Sequence, residues 1–126
     1  MRMEHVMYLS EKEEECARLL MKLGMKKNVA HVLVFLAHTP ETTSHEIERG
    51  TGLRQPEISA AMRYLMEKGW VASRAIHGPG KGRPMKIYQL ARPIAKIVDS
   101  IESEKKKETT RRLARIKKAQ DFVRRG

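Results

Sequence analysis

The sequence predicts a mostly α-helical fold with one small β-hairpin, and three observations predict it. Apolar residues recur three or four apart in several separate runs, and Ser or Thr followed three positions later by Glu opens two of them. Gly50-Thr51-Gly52 sets a tight turn between two closely spaced helical runs. Finally, two short runs of branched and aromatic residues, Trp70 to Ile76 and Met85 to Leu90, flank a stretch holding three glycines and two prolines.

The first helix is expected from Ser10-Glu11-Lys12-Glu13, where the Ser10 hydroxyl accepts the Glu13 backbone N–H and Glu13 returns the bond. Glu13, Glu14 and Glu15 fall in its first turn, where the helix dipole favours anions, so they require no metal. Cys16, Leu19, Leu20 and Leu23 form its expected inward face, Gly24 ends it, and Val6, Met7 and Leu9 are expected to pack on the body. The next helix covers about Lys27 to His38, with Val29, Val32, Leu33, Leu36 and Ala37 inward and Pro40 beyond its end. Thr43-Ser44-His45-Glu46 repeats the capping pattern and starts a short helix that ends near Gly50-Thr51-Gly52, with Leu53 plugging the core.

Another helix starts near Gln55, with Pro56 in the first position, where a missing N–H costs nothing. Ile58, Ala61, Met62 and Leu65 are its inward face; Gln55, Pro56, Ser59, Ala60 and Arg63 are its outward face. The latter is small and polar, and such a helix fits the major groove, about 12 Å wide. Lys68-Gly69 ends it, the hairpin follows, and Pro93 opens a final helix. Ile94, Ile97, Val98 and Ile101 give that helix one apolar stripe; Leu113, Ile116, Phe122 and Val123 give a second, out of phase with the first. The polar stretch Glu102 to Arg112 lies between them, and either the helix breaks near Lys105 to Thr110 or the stripes face different partners.

Helix, helix, turn, helix and hairpin is the order of a winged helix-turn-helix, here with a helix added at each end. One domain with appendages is expected: 1–24 as an N-terminal helical extension, 25–91 as the winged unit, and 92–126 as a basic dimerising helix.

Charge sharpens the expectation. The net charge is +11, yet residues 1–72 are neutral overall, with ten basic and ten acidic groups. Residues 73–93 carry five basic groups and no acid, and residues 94–126 carry eleven and five. A near-neutral scaffold with basic extensions suits the phosphate backbone of nucleic acid, although basic tails also serve solubility. One cysteine excludes an internal disulfide, and no apolar run approaches the roughly 20 residues of a membrane span, so a cytoplasmic protein is expected. Of the five histidines, only His31 and His38 are placed to share a helix face, and no Cys or His pair has structural-zinc spacing. The Gly-Pro-Gly-Lys-Gly run lacks the spacing and the Ser or Thr of a nucleotide-binding loop. No metal, cofactor or catalytic constellation is read from the chain.

Three segments carry a family resemblance: the helix Val29–Ala37, the unit Ser44 to Leu53, and Ile58 to Val71. Together they resemble the DNA-binding unit of archaeal TrmB-like and MarR-like winged-helix regulators, and Gly82 to Leu90 resembles the second half of the wing. The resemblance covers about half of the chain closely. The TrmB-like sugar-binding domain has no counterpart in these 126 residues, so a sugar effector is not carried over, and the sequence names no other effector.

The leading expectation is a homodimeric regulator of transcription binding double-stranded DNA. Gln55 and Arg63 are the expected base-edge readers, since glutamine pairs bidentately with adenine and arginine with guanine. Arg54, Ser59 and Tyr64 are expected at phosphates or at a partner helix. Lys81, Arg83 and Lys86, with Arg74 on the opposite strand, are expected at phosphates or the minor groove. Glu57 departs from a basic face and is expected to serve its helix N-terminus or accept from a cytosine. Ile94, Ile97, Val98, Ile101, Leu113, Ile116, Phe122 and Val123 are the expected dimer contacts. Two alternatives stay open: a non-specific chromatin-like or RNA-binding protein, and a winged-helix adaptor between proteins.

Overall fold

A computed structural model describes residues 9–77, 82 and 84–125. Its elements in chain order are α1 (Glu11–Lys22), α2 (Lys27–Ala37), α3 (Ser44–Thr51), α4 (Gln55–Glu67), β1 (Val71–Ile76), β2 (Met85–Leu90) and α5 (Ile94–Arg125). The chain divides into two compact units, 1–94 and 95–126.

In the first unit the fold is a winged helix. Both expected capping boxes form: Ser10 Oγ accepts the Glu13 N–H at 3.2 Å, Thr43 Oγ1 accepts the Glu46 N–H at 3.2 Å, and each glutamate accepts the cap's own N–H in return. α2 is the central helix, with Val29, Ala30, Val32, Leu33, Val34 and Leu36 all buried. Its burial extends beyond the expected stripe because α1, α3 and α4 all pack on it. α4 turns Ile58, Ala61, Met62 and Leu65 inward, as its spacing predicts. Trp70 and Val71 are buried where α4 passes into the hairpin, and Leu53 is half-buried at the turn.

The inward face of α1 differs from the expected one. Ala17 and Leu20 are buried and Cys16 half-buried, whereas Leu19 and Leu23 are exposed. Two glutamates share the face of Ala17 and Leu20. His31 Nε2 on α2 bonds Glu14 Oε1 at 3.2 Å, and His38 Nδ1 lies 3.3 Å from Glu13 Oε2. His31 Nδ1 also bonds the Lys27 carbonyl, at 2.8 Å. His31 thus joins α1 to α2, while His38 Nδ1 bonds the Val34 carbonyl at 3.0 Å beside Glu13, and no group of three or more metal-ligating side chains occurs among the described residues.

β1 and β2 pair antiparallel from Val71↔Leu90 to Ile76↔Met85. An unexpected third segment joins them: Thr42 pairs with Tyr88, its N–H donating to the Tyr88 carbonyl at 3.0 Å and its carbonyl accepting in return at 2.7 Å. Thr42 is buried in the core, and this bridge ties the wing to the start of α3.

In the second unit α5 runs unbroken for 32 residues, about 48 Å at 1.5 Å per residue. Glu102 to Arg112 contains neither glycine nor proline, and the Thr109 and Thr110 hydroxyls donate to the Lys105 and Lys106 carbonyls at 3.0 Å within the helix. No helix among the described residues is long and apolar enough to cross a membrane.

Candidate nucleic-acid interface

The turn between α3 and α4 sets the recognition helix. Gly52 takes a left-handed conformation (φ 77°) that a residue with a side chain rarely adopts, and caps α3. Thr51 Oγ1 donates to the Ile47 carbonyl at 2.7 Å and accepts the Leu53 N–H at 3.2 Å, fixing the exit of the chain. α4 then begins with Glu57 Oε1 accepting the Arg54 N–H at 2.9 Å. That bond places Glu57 in the helix-terminus role, one of its two expected roles.

Arg54, Gln55, Ser59, Arg63 and Tyr64 all lie exposed on α4 or at its cap. Their freedom differs. Gln55 Nε2 donates to the Glu48 carboxylate at 2.7 Å and to the Ser44 carbonyl at 3.3 Å. Its donor is therefore engaged in bracing α4 to α3, which the bidentate adenine contact expected of it does not allow while the brace holds. Arg63 is exposed and makes no side-chain hydrogen bond or ion pair among the described residues. Tyr64 meets Trp70 edge-on with centroids 6.3 Å apart, and Lys68 Nζ stands 5.6 Å and 6.0 Å over the two rings. The basic residue next to Tyr64 is thus held by cation–π attraction, a contribution the sequence expectation omitted.

On the wing, Lys86 is exposed opposite Ala75. Arg74 forms a half-exposed ion pair with Glu41, from the segment before α3. That carboxylate competes with any phosphate for the Arg74 guanidinium. Lys81 and Arg83 lie outside the described residues, as do Val6 and Met7.

Among the expected dimer contacts on α5, Leu113, Ile116, Phe122 and Val123 are exposed, Ile94, Val98 and Ile101 are half-buried, and Ile97 is buried.

Residues 23–83 match the sequence profile of the MarR family. Over this segment the chain is similar to the MarR family. The match runs from the end of α1 through α4 and β1 into the hairpin connection, so it contains the whole helix-turn-helix described above. Among solved structures, the chain is similar to TrmBL2, an archaeal chromatin protein described with a novel mode of DNA binding. The TM-score is 0.70 and the identity 20% over 89% of this chain, which spans 40% of that one. A possible transcriptional regulator from Methanosarcina mazei Go1 gives a TM-score of 0.58 at 18% identity, covering 82% of this chain and 84% of its own. At these identities the likeness is one of fold, a winged helix with flanking helices. A comparison with curated proteins finds no match.

Proposed function

We propose that the chain is a homodimeric transcriptional regulator that binds double-stranded DNA sequence-specifically. The observation that carries the reading is the exposed face of α4, where Ser59, Ala60 and Arg63 are small or basic and Glu57 is tied to its own helix end. In this reading α4 enters the major groove and Arg63 reads a base edge. Gln55 offers the groove only its carbonyl oxygen. Arg54, Ser59, Tyr64 and Lys86 reach phosphates, and Arg74, Lys81 and Arg83 follow the duplex along the wing. The absence of any acid in residues 73–93 supports that placement of the wing. The exposed Leu113, Ile116, Phe122 and Val123 on α5 supply apolar surface for a second copy, which would present two recognition helices about 34 Å apart.

One observation favours a second reading, non-specific duplex binding. With the Gln55 donor engaged, Arg63 is left as the principal base reader, while α5 adds a basic excess along an exposed helix. Selection of random duplexes by the purified protein at about 0.15 M salt, near physiological ionic strength, separates the two. A recovered palindromic motif with half-sites one turn apart supports the specific regulator. Duplexes retained without a shared motif support the second reading, and no retention refutes both. A monomer by sedimentation at micromolar concentration, with and without DNA, refutes the dimer.

A further inference from the structure

A groove of about 600 Å³ lies between the start of α2 and the side of α4. Lys26, Lys27 and Val29 line one wall, and Pro56, Ala60 and Tyr64 line the other. We propose that this groove seats a sugar-phosphate strand of the bound duplex, with Lys26 and Lys27 neutralising its phosphates and the apolar wall of α4 lying against its sugars. The proposal rests on the DNA-binding reading of α4.

Two observations support this occupant. The first is continuity. Pro56 and Ala60 belong both to the groove wall and to the exposed face of α4, and Arg63 follows Ala60 on that face about 60° round the helix, at 100° per residue. A strand bordering the major groove occupied by α4 therefore passes along this edge. The second is charge. Lys26 and Lys27 are both exposed, whereas Glu57, the carboxylate bordering the groove, has an oxygen committed to the Arg54 N–H. The small side chains of Pro56 and Ala60 keep the wall open to a backbone. The near balance of charge across residues 25–72 conceals this pair in the sequence, because acids elsewhere in the unit cancel it.

The test is the salt dependence of duplex binding by the full chain carrying Lys26→Gln and Lys27→Gln together. Each phosphate contact contributes about 0.9 to the slope of log affinity against log salt. The double variant should lose about 1–2 in slope while selecting the same motif as the wild type, and Lys12→Gln, at an exposed position of α1, should change nothing. An unchanged slope in the double variant, with Arg63→Ala still altering base preference, overturns the groove and leaves the α4 reading standing. Loss of self-association with the slope intact would assign the groove to a second copy and overturn the proposal as well. No duplex binding by the wild type would remove the reading beneath it. Ethylation of duplex phosphates gives a measure independent of any variant's folding: interference flanking each α4 half-site supports the strand, and interference confined to the wing overturns it.

Discussion

Gly50 on α3 lies directly against the ring of Phe35 on α2, so close that a Cβ at position 50 would stand 2.1 Å from Phe35 Cε1. Glycine inside a helix costs about 0.5–1 kcal/mol relative to alanine. Here that cost permits the close crossing of the first helix of the helix-turn-helix over the central helix. Gly50→Ala should therefore destabilise the protein, because overpacking of about 1–3 kcal/mol outweighs the propensity gain. Urea unfolding measures the loss. Combining Gly50→Ala with Phe35→Leu should recover part of it, since residues in contact couple. A stabilised Gly50→Ala variant would show that the ring yields freely.

That contact illustrates what sequence could and could not convey. The capping boxes at Ser10 and Thr43, the inward face of α4 and the limits of β2 were legible because each depends on residues within one turn or one strand. Contacts between elements were not. Thr42 pairs with Tyr88 across 46 positions, and Arg74 with Glu41 across 33, with no local pattern to announce them. The rotation of α1 was hidden for the same reason, since the partners of its Glu13 and Glu14 face, His38 and His31, lie 25 and 17 positions away. At the site, sequence located the exposed face of α4 but not the state of its side chains. Gln55 was chosen for what a glutamine can pair with in DNA, and the fold pairs its donor with Glu48 and Ser44 instead.

The Gln55 brace and the free Arg63 should separate in binding experiments. Gln55→Ala removes bonds that hold the recognition helix to α3, each worth about 0.5–1.5 kcal/mol. Affinity should fall for all duplex sequences together. Arg63→Ala should instead relax preference at one base position by about 1–3 kcal/mol. Binding across a panel of single-base variants of the selected site checks both. A loss of preference at one position in Gln55→Ala would return that residue to base reading.

Glu41 restrains Arg74 on the wing. The pair is half-exposed, so its contribution to stability is at most about 1 kcal/mol. Its larger effect should be on binding. Glu41→Gln removes a negative charge beside the duplex and releases a guanidinium. Affinity should rise, and the salt slope should steepen by about 0.9 if Arg74 then meets a phosphate. An unchanged slope would show that Arg74 faces away from the duplex and serves only to fasten the wing.

Acid should loosen the wing through Glu46. Its Oε1 accepts the Thr43 N–H and the Thr42 hydroxyl, each at 3.0 Å. The backbone bond from Thr43 first, and the Thr42 hydroxyl next, hold this carboxyl below its ordinary value of 4.5. A carboxyl lowered by folding stabilises the native state at neutral pH, and that contribution is lost as pH falls from about the ordinary value through the lowered one. Glu46→Gln keeps an acceptor in place but removes the titration. Wild type should therefore be the more stable at neutral pH, and the gap should close as unfolding is followed below pH 4.5. Because Thr42 is also the residue that pairs with Tyr88, protonation reaches the wing through one bonded chain: Glu46 to Thr42 to β2. Protection of the Tyr88 amide relative to its intrinsic exchange rate should fall in the same acid range in wild type and stay level in Glu46→Gln. Equal acid sensitivity in both proteins would place the titrating group elsewhere.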